Sequence, residues 1–141
     1  MSELPDIQDA EKVVAAFGEW PSFHDAEILR IALDRDPARA GLAPSLQLQV
    51  RVRRSTPQGV GTADFHMALT HDFVIALSFT GITELELYGF NGQNVIDAIS
   101  IHRAEGGDTL AVEIESIYGV AASWLCTAVA VSDIRAVHGA A

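Results

Sequence analysis

One short segment with strictly alternating apolar and polar residues limits what this chain can fold into. In LQLQVRVR, residues 46–53, the apolar positions are Leu46, Leu48, Val50 and Val52, and the polar positions are Gln47, Gln49, Arg51 and Arg53. Successive side chains of a β-strand point to opposite faces, so this pattern predicts a strand with one face on a core and one in water. Such a strand needs neighbours, and we expect a sheet.

Further strand-like segments follow this pattern along the chain. Residues 27–35 alternate around Leu29, Ile31 and Leu33 and are predicted to pair with 46–53 as an antiparallel hairpin, although Leu29 and Leu33 also lie on one helical face. The other predicted strands are DFHMALT (64–70), FVIALSF (73–79), TELELY (83–88), TLAVEIES (109–116) and SWLCTAVAV (123–131). The segment 95–103 fits a strand or a helical turn, STPQGVGTA (55–63) a loop, and His71-Asp72 a hairpin turn.

Helical spacing is confined to the beginning of the chain. In residues 6–17, apolar side chains recur at helical intervals, Asp6 can cap the start, and Gly18 and Pro21 favour an end. We therefore predict an α+β fold in one domain, residues 1–141. Its N-terminal helix, 6–17, would pack on an antiparallel, mostly meander sheet of about seven strands within 26–133, curled or two-layered.

The charge balance limits the classes of partner. Nineteen acidic residues against nine basic ones give a formal net charge of −10. Binding to nucleic acid depends on Lys and Arg, so this balance argues against it. It favours a basic protein partner, because complementary fields accelerate association, although solubility alone explains an acidic surface equally well.

Location is predicted from features that the sequence lacks. The N-terminal residues have no hydrophobic signal core, and the uncharged run from Ser116 to Ser132 is interrupted by polar residues and glycine, so we expect no membrane span. The lone Cys126 fits a reducing compartment. These features predict a cytoplasmic protein.

The segment WPSFHDAEI concentrates aromatic and polar residues just before the first predicted strand. His24 and Asp25 could work together, since a carboxylate can orient an imidazole as a base or a metal ligand. The structural alternative is a corner between helix and sheet, where Ser22 and Asp25 satisfy backbone groups and the rings of Trp20 and Phe23 are buried. We favour the corner, with Glu27 completing the motif.

No catalytic or metal-binding spacing supports chemistry at this segment. The remaining histidines are His66, His71, His102 and His138, and the sequence has no HxH, HExxH or CxxC pattern. Cys126 lies in an apolar strand, where a free cysteine usually behaves as a small hydrophobe. We therefore predict no catalytic residue, no metal and no cofactor, and keep an enzyme or metal-dependent ligand binder centred on His24 and Asp25 as the alternative.

Two pairs of carboxylates are the stronger candidates for binding. Glu84 with Glu86, and Glu113 with Glu115, are spaced i, i+2, so each pair lies on one face of its strand. A solvated face partly balanced by Arg51 and Arg53 is the simplest interpretation. The more specific interpretation is a docking surface for a basic partner, with Tyr88 and Tyr118 as aromatic anchors.

These residues also carry a family resemblance. The run FGEWPSFHDAEILRIALDR, through Trp20, Phe23, His24, Asp25 and Glu27, and the later YGFNGQNVI resemble immunity protein 50-type families of bacterial toxin systems. The order of elements is similar over most of the chain. The resemblance implies a non-enzymatic cytosolic protein that binds a toxin and blocks it, and it assigns no catalytic role to the motif.

Our leading hypothesis is therefore a small acidic binding protein, an immunity-like inhibitor of a basic toxin or another protein partner. The first alternative is the metal- or ligand-binding enzyme described above. The second is a structural homo-oligomer, such as a homodimer, because an exposed sheet edge can pair with another copy.

Overall fold

The computed structural model describes residues 6–35, 44–105 and 107–137. These residues contain one helix, α1 (Glu11–Phe17), and eight strands. The strands are β1 (Glu27–Asp34), β2 (Ser45–Gln58), β3 (His66–Thr80), β4 (Thr83–Tyr88), β5 (Val95–Arg103), β6 (Leu110–Tyr118), β7 (Ala121–Cys126) and β8 (Ala128–Ala136).

All eight strands belong to one sheet in the order β4-β7-β6-β5-β1-β2-β3-β8. It consists of two antiparallel meanders, β1-β2-β3 and β5-β6-β7, that meet where β1 lies beside β5. β1 and β2 pair antiparallel, which confirms the predicted hairpin. β4 and β8 extend the two ends of the sheet, so each of them is an edge strand.

The predicted α+β class is wrong, because the structure is a mostly antiparallel β protein with an open eight-stranded sheet. Its only described helix has 7 residues. The ambiguous segment 95–103 is strand β5, whose β-branched residues pair along β6. No helix among the described residues is long and apolar enough to cross a membrane.

The helix is also shorter than predicted, because the backbone of Gln8 bonds to the sheet. The Gln8 N–H donates to Val129 O at 3.0 Å, and the Val131 N–H donates to Gln8 O at 2.8 Å. Backbone groups that bond to β8 cannot take part in a helix. The chain then turns at Asp9, where φ is 62°, and α1 begins at Glu11.

Two predicted connections are parts of long strands. His71 and Asp72 lie in the middle of the 15-residue β3 and not in a turn. Asp72 accepts two hydrogen bonds from Arg51 of β2, at 2.9 Å from Nε and 2.7 Å from Nη2. The residues 55–58, predicted to be in a loop, belong to β2.

The predicted last strand, 123–131, is interrupted at Thr127 and forms two strands, β7 and β8. Next to Thr127 the chain also bends between β3 and β4, and here the Thr127 N–H donates to Thr80 O at 2.8 Å. Gly81 lies against this bend with φ 70°, and a Cβ there would come within 2.5 Å of Thr127 Oγ1. Beside the bend, Phe79 of β3 packs edge-on against Trp124 of β7, with ring centroids 5.0 Å apart.

One buried asparagine connects the loop before β5 to the turn between β6 and β7. Asn94 is 3% exposed. Its Oδ1 accepts hydrogen bonds from the N–H groups of Asn91 and Val120, and its Nδ2 donates to Asn91 O. Gly119 packs so closely on this loop that a Cβ would lie 2.4 Å from Gln93 O. The side chain of Asn94 therefore satisfies three backbone groups, of which the Val120 N–H is buried.

We expect Asn94→Ala to lower the free energy of unfolding by about 2–3 kcal/mol, because it leaves the buried Val120 N–H without its acceptor and removes two further hydrogen bonds. The control is Asn91→Ala, which removes the exposed Oδ1 that accepts a hydrogen bond from the Gln93 N–H and should cost less than about 1 kcal/mol. Urea unfolding of both variants measures the difference. Equal losses would contradict the role assigned to Asn94.

Candidate binding site

Strands from distant parts of the sequence bring acidic side chains together on the face of the sheet opposite the core. Glu86 of β4 is opposite Ser123 of β7, and Ser123 is opposite Glu113 of β6. Glu113 is in turn opposite Ser100 of β5. Carboxylates thus stand on both sides of a small residue, two interstrand spacings or about 10 Å apart.

This arrangement forms a groove along β7. Two adjoining open clefts, of about 570 and 440 Å³, share Glu113 and Ser123. Glu84, Glu86 and His102 line the first cleft, and Tyr88 and Glu115 line the second. We call the surface formed by Glu84, Glu86, Tyr88, Glu113 and Glu115 around Ser123 the acidic groove.

Glu84 reaches the groove through an irregularity in β4. Its φ is 54°, and the register with β7 shifts between Thr83 and Glu86. Such a β-bulge places one additional residue on a strand and redirects its side chain. Glu84 therefore lines the same cleft as Glu86, although regular i, i+2 alternation is interrupted between Thr83 and Glu86.

Within the part of the chain that the structure describes, no basic side chain pairs with the glutamates of the groove. No lysine or arginine is among the residues that line the two clefts, and within the described parts of the chain none of the four glutamates forms a salt bridge. Arg51 and Arg53 do not balance it, because β2 is not a neighbour of β4 or β6. Like charges at this spacing repel one another, so a bound cation would relieve an existing cost.

The two tyrosines predicted as anchors differ in position. Tyr88 is 62% exposed at the end of β4, and its hydroxyl donates to Glu86 Oε1 at 2.9 Å. This hydrogen bond, and then the negative charge of Glu86, raise the pKa of Tyr88 above its ordinary value. Tyr118 is exposed at the end of β6 but lines neither cleft. The groove therefore contains one of the two aromatic candidates.

The WPSFHDAEI segment forms a corner at the junction of the two meanders. Phe23 is buried, and the half-buried Trp20 packs against it with ring centroids 5.8 Å apart. Asp25 adopts φ 66°, its N–H donates to Ile96 O, and the Ile96 N–H donates to Ala26 O. The segment thus joins β1 to β5, and Glu27 lies opposite both Arg51 and Val95.

The polar pair of this corner has a third member that the sequence analysis missed. His24 Nδ1 lies 2.8 Å from Asp97 Oδ1, whereas its Nε2 lies 3.6 Å from Asp25 Oδ2. All three side chains are more than half exposed. Asp97 is 73 positions from His24 in sequence, and no local pattern indicates this contact. The histidine therefore connects the corner to β5 through its side chain.

The other histidines have separate environments. His71 stacks on Phe17 at 5.3 Å, the His66 ring bonds to the Asp64 carbonyl, and His102 lines the acidic groove. His138 lies outside the described residues. Among the described residues, no group of three His, Cys, Asp or Glu side chains is arranged to hold a metal ion. Burial raises the pKa of the Cys126 thiol to about 11, so it is protonated at neutral pH.

We expect Glu86→Ala to lower the pKa of Tyr88, because both the acceptor of its hydrogen bond and the nearby negative charge disappear. The titration is followed by tyrosinate absorbance in a Tyr118→Phe background, which leaves Tyr88 as the one remaining tyrosine. Glu115→Ala in the same background serves as the control. A Tyr88 pKa that does not change in Glu86→Ala would contradict the contact.

Comparison with known proteins agrees with the resemblance noted in the sequence. A family model described as Immunity protein 50 matches residues 9–137, which include the corner segment and all eight strands. Comparisons with curated proteins and with solved structures give no match. The matched region covers nearly the whole chain and confirms the predicted family. The chain belongs to the Immunity protein 50 family.

Proposed function

We propose that this protein is an immunity protein that binds a basic protein toxin through the acidic groove and thereby blocks it. Membership of an immunity protein family supports a toxin as the partner. The observation that carries the choice of surface is the set of four glutamates on β4 and β6, with no lysine or arginine among the described residues that line the clefts between them. The proposal assigns no catalytic step to this chain.

Electrostatics gives the groove two separate effects on binding. Its local field, added to the net charge of −10, attracts a cationic partner over about a Debye length and accelerates encounter. After contact, Lys or Arg side chains in the groove would pair with carboxylates that have no cation among the described residues. Such pairs slow dissociation when the partner excludes water from them.

The groove also has the shape that an inserted side chain requires. Ala121 and Ser123 are small residues of β7, which lies between the acidic positions of β4 and β6. Small residues at the base of a groove let a long cationic side chain approach the sheet and contact carboxylates on both sides. Tyr88 at one end adds an exposed ring, a residue type that protein interfaces use as an anchor.

The corner segment is a weaker candidate for the toxin interface, for structural reasons. Phe23 is buried in the core, and the backbone of residues 25–28 is hydrogen-bonded to residues 94–96. His24 is already paired with Asp97. These contacts explain why Trp20, Phe23, His24, Asp25 and Glu27 form a motif without assigning them to binding.

The test is binding and inhibition of a basic protein toxin, sought first among the products of neighbouring genes. We expect the double reversal Glu86→Lys with Glu113→Lys to weaken binding by about 30-fold or more, because two favourable charge contacts become repulsive. Affinity is measured with purified proteins, and protection is measured by growth of cells that express the toxin.

The matched control is Asp34→Lys with Asp133→Lys, which changes the net charge equally at exposed positions on β1 and β8. This control should bind almost as tightly as the original protein at physiological salt. If both double variants lose affinity equally, the groove is not the interface and only the net charge matters. Unfolding curves of all variants establish that their folds are retained.

A further inference from the structure

The two edges of the sheet differ in whether their backbone groups are covered. At β8, the N-terminal segment bonds to the outer side of the strand through Gln8, and α1 packs nearby. At β4, by contrast, no described strand pairs with the side that faces away from β7. An edge strand presents unpaired N–H and C=O groups to any extended chain that approaches it.

The side chains of β4 differ between its two faces. On the groove side stand Glu84, Glu86 and Tyr88. On the opposite side, Leu85 packs against the core and Leu87 remains 41% exposed. From Glu86 to Tyr88 the strand is in regular register with β7, so its outer backbone groups are spaced as in an ordinary sheet. Among the described residues the edge is therefore unpaired, regular at this end and chemically two-sided.

We infer that the toxin adds an extended segment to β4 as a ninth strand, with cationic and apolar residues alternating along it. The inference rests on the proposed function and specifies how the partner binds. Main-chain hydrogen bonds to the free side of β4 would hold the segment, and its side chains would determine specificity. Every second side chain would be Lys or Arg beside Glu84 and Glu86, and the intervening ones would cover Leu87.

Charge also selects between this occupant and a second copy of the chain. Two β4 edges paired with each other would bring Glu84 and Glu86 of one copy against the same residues of the other. Like charges on neighbouring strands are destabilising, and charged side chains on an edge strand are a common protection against self-pairing. A cation-bearing strand reverses the sign of this interaction, so the edge that repels its own copy accepts a basic partner.

Binding of synthetic peptides to the full chain tests the inference. The probe is a fluorescent peptide of alternating lysine and valine, about eight residues long, enough to span β4 at about 3.4 Å per residue. A second peptide of the same composition has all its lysines in one block and all its valines in another. Both carry the same charge, so a surface that recognises charge alone binds them equally.

Backbone methylation gives a sharper control. N-methyl groups are placed on alternate residues of the alternating peptide, in two complementary sets. In an added strand, one set of N–H groups points toward β4 and the other points toward solvent, so only one methylated set should lose binding. Binding through side chains alone would respond to both sets equally.

The expected result is that the alternating peptide binds about tenfold or more tightly than the block peptide, because only the alternating order places its lysines beside Glu84 and Glu86 and its valines over Leu87 along one strand. Its affinity should fall in Glu86→Lys and persist in Asp133→Lys, and its amide shift changes should centre on residues 85–88. Equal affinities for the two peptides, or for the two methylated sets, would overturn strand addition. Toxin binding by the groove variant is measured separately, so that outcome would leave the groove standing as the proposed toxin interface. An unchanged toxin affinity in the groove variant would instead remove the groove as the interface, and strand addition at β4 with it.

Discussion

The hydrogen bonds between residues 25–28 and residues 94–96 are the connection on which the rest of the sheet depends. Direct pairing of β1 with β5 involves Glu27 and Val95, and the backbone bonds of Asp25, Ala26 and Ile28 to Ile96 and Asn94 complete the junction. Asn94 accepts hydrogen bonds on both sides of this junction. Its carbonyl accepts from Ile28, and its side chain accepts from Val120 at the turn between β6 and β7. The two meanders form one sheet because this short junction is well satisfied.

The acidic groove is a consequence of that architecture. β4 follows β3 in the chain but pairs with β7, so the meander β5-β6-β7 places carboxylates of β6 opposite those of β4 with Ser123 between them. The inner residues of these strands are buried, as for Val112 and Ile114, which fixes the outward direction of Glu113 and Glu115. A rigid, core-backed sheet thus holds repelling charges close together and ready for a cationic partner.

Local alternation in the sequence was sufficient for strands and faces but not for neighbours. The segment LQLQVRVR predicted β2 and its hairpin with β1, and Glu113 and Glu115 lie on the outer face as expected. The helix was overestimated because β8, more than 100 residues away in sequence, takes the backbone of Gln8. His71-Asp72 was predicted to form a turn because no local pattern reveals that Asp72 pairs with Arg51 of a neighbouring strand. No pattern in a single sequence predicts the strand order that brings together Glu86, Ser123 and Glu113. The same is true of the pairing of His24 with Asp97.

Hydrogen exchange of this protein with and without its toxin tests most directly whether the toxin binds at β4 and the acidic groove. Amide exchange reports which backbone segments become protected in the complex. We expect protection to concentrate in β4, with smaller changes in β6 and β7, and the corner at residues 20–27 to exchange as in the free protein. Protection confined to that corner, or to the exposed apolar residues near the tip of the β2–β3 hairpin such as Phe65 and Met67, with β4 unchanged, would contradict this expectation.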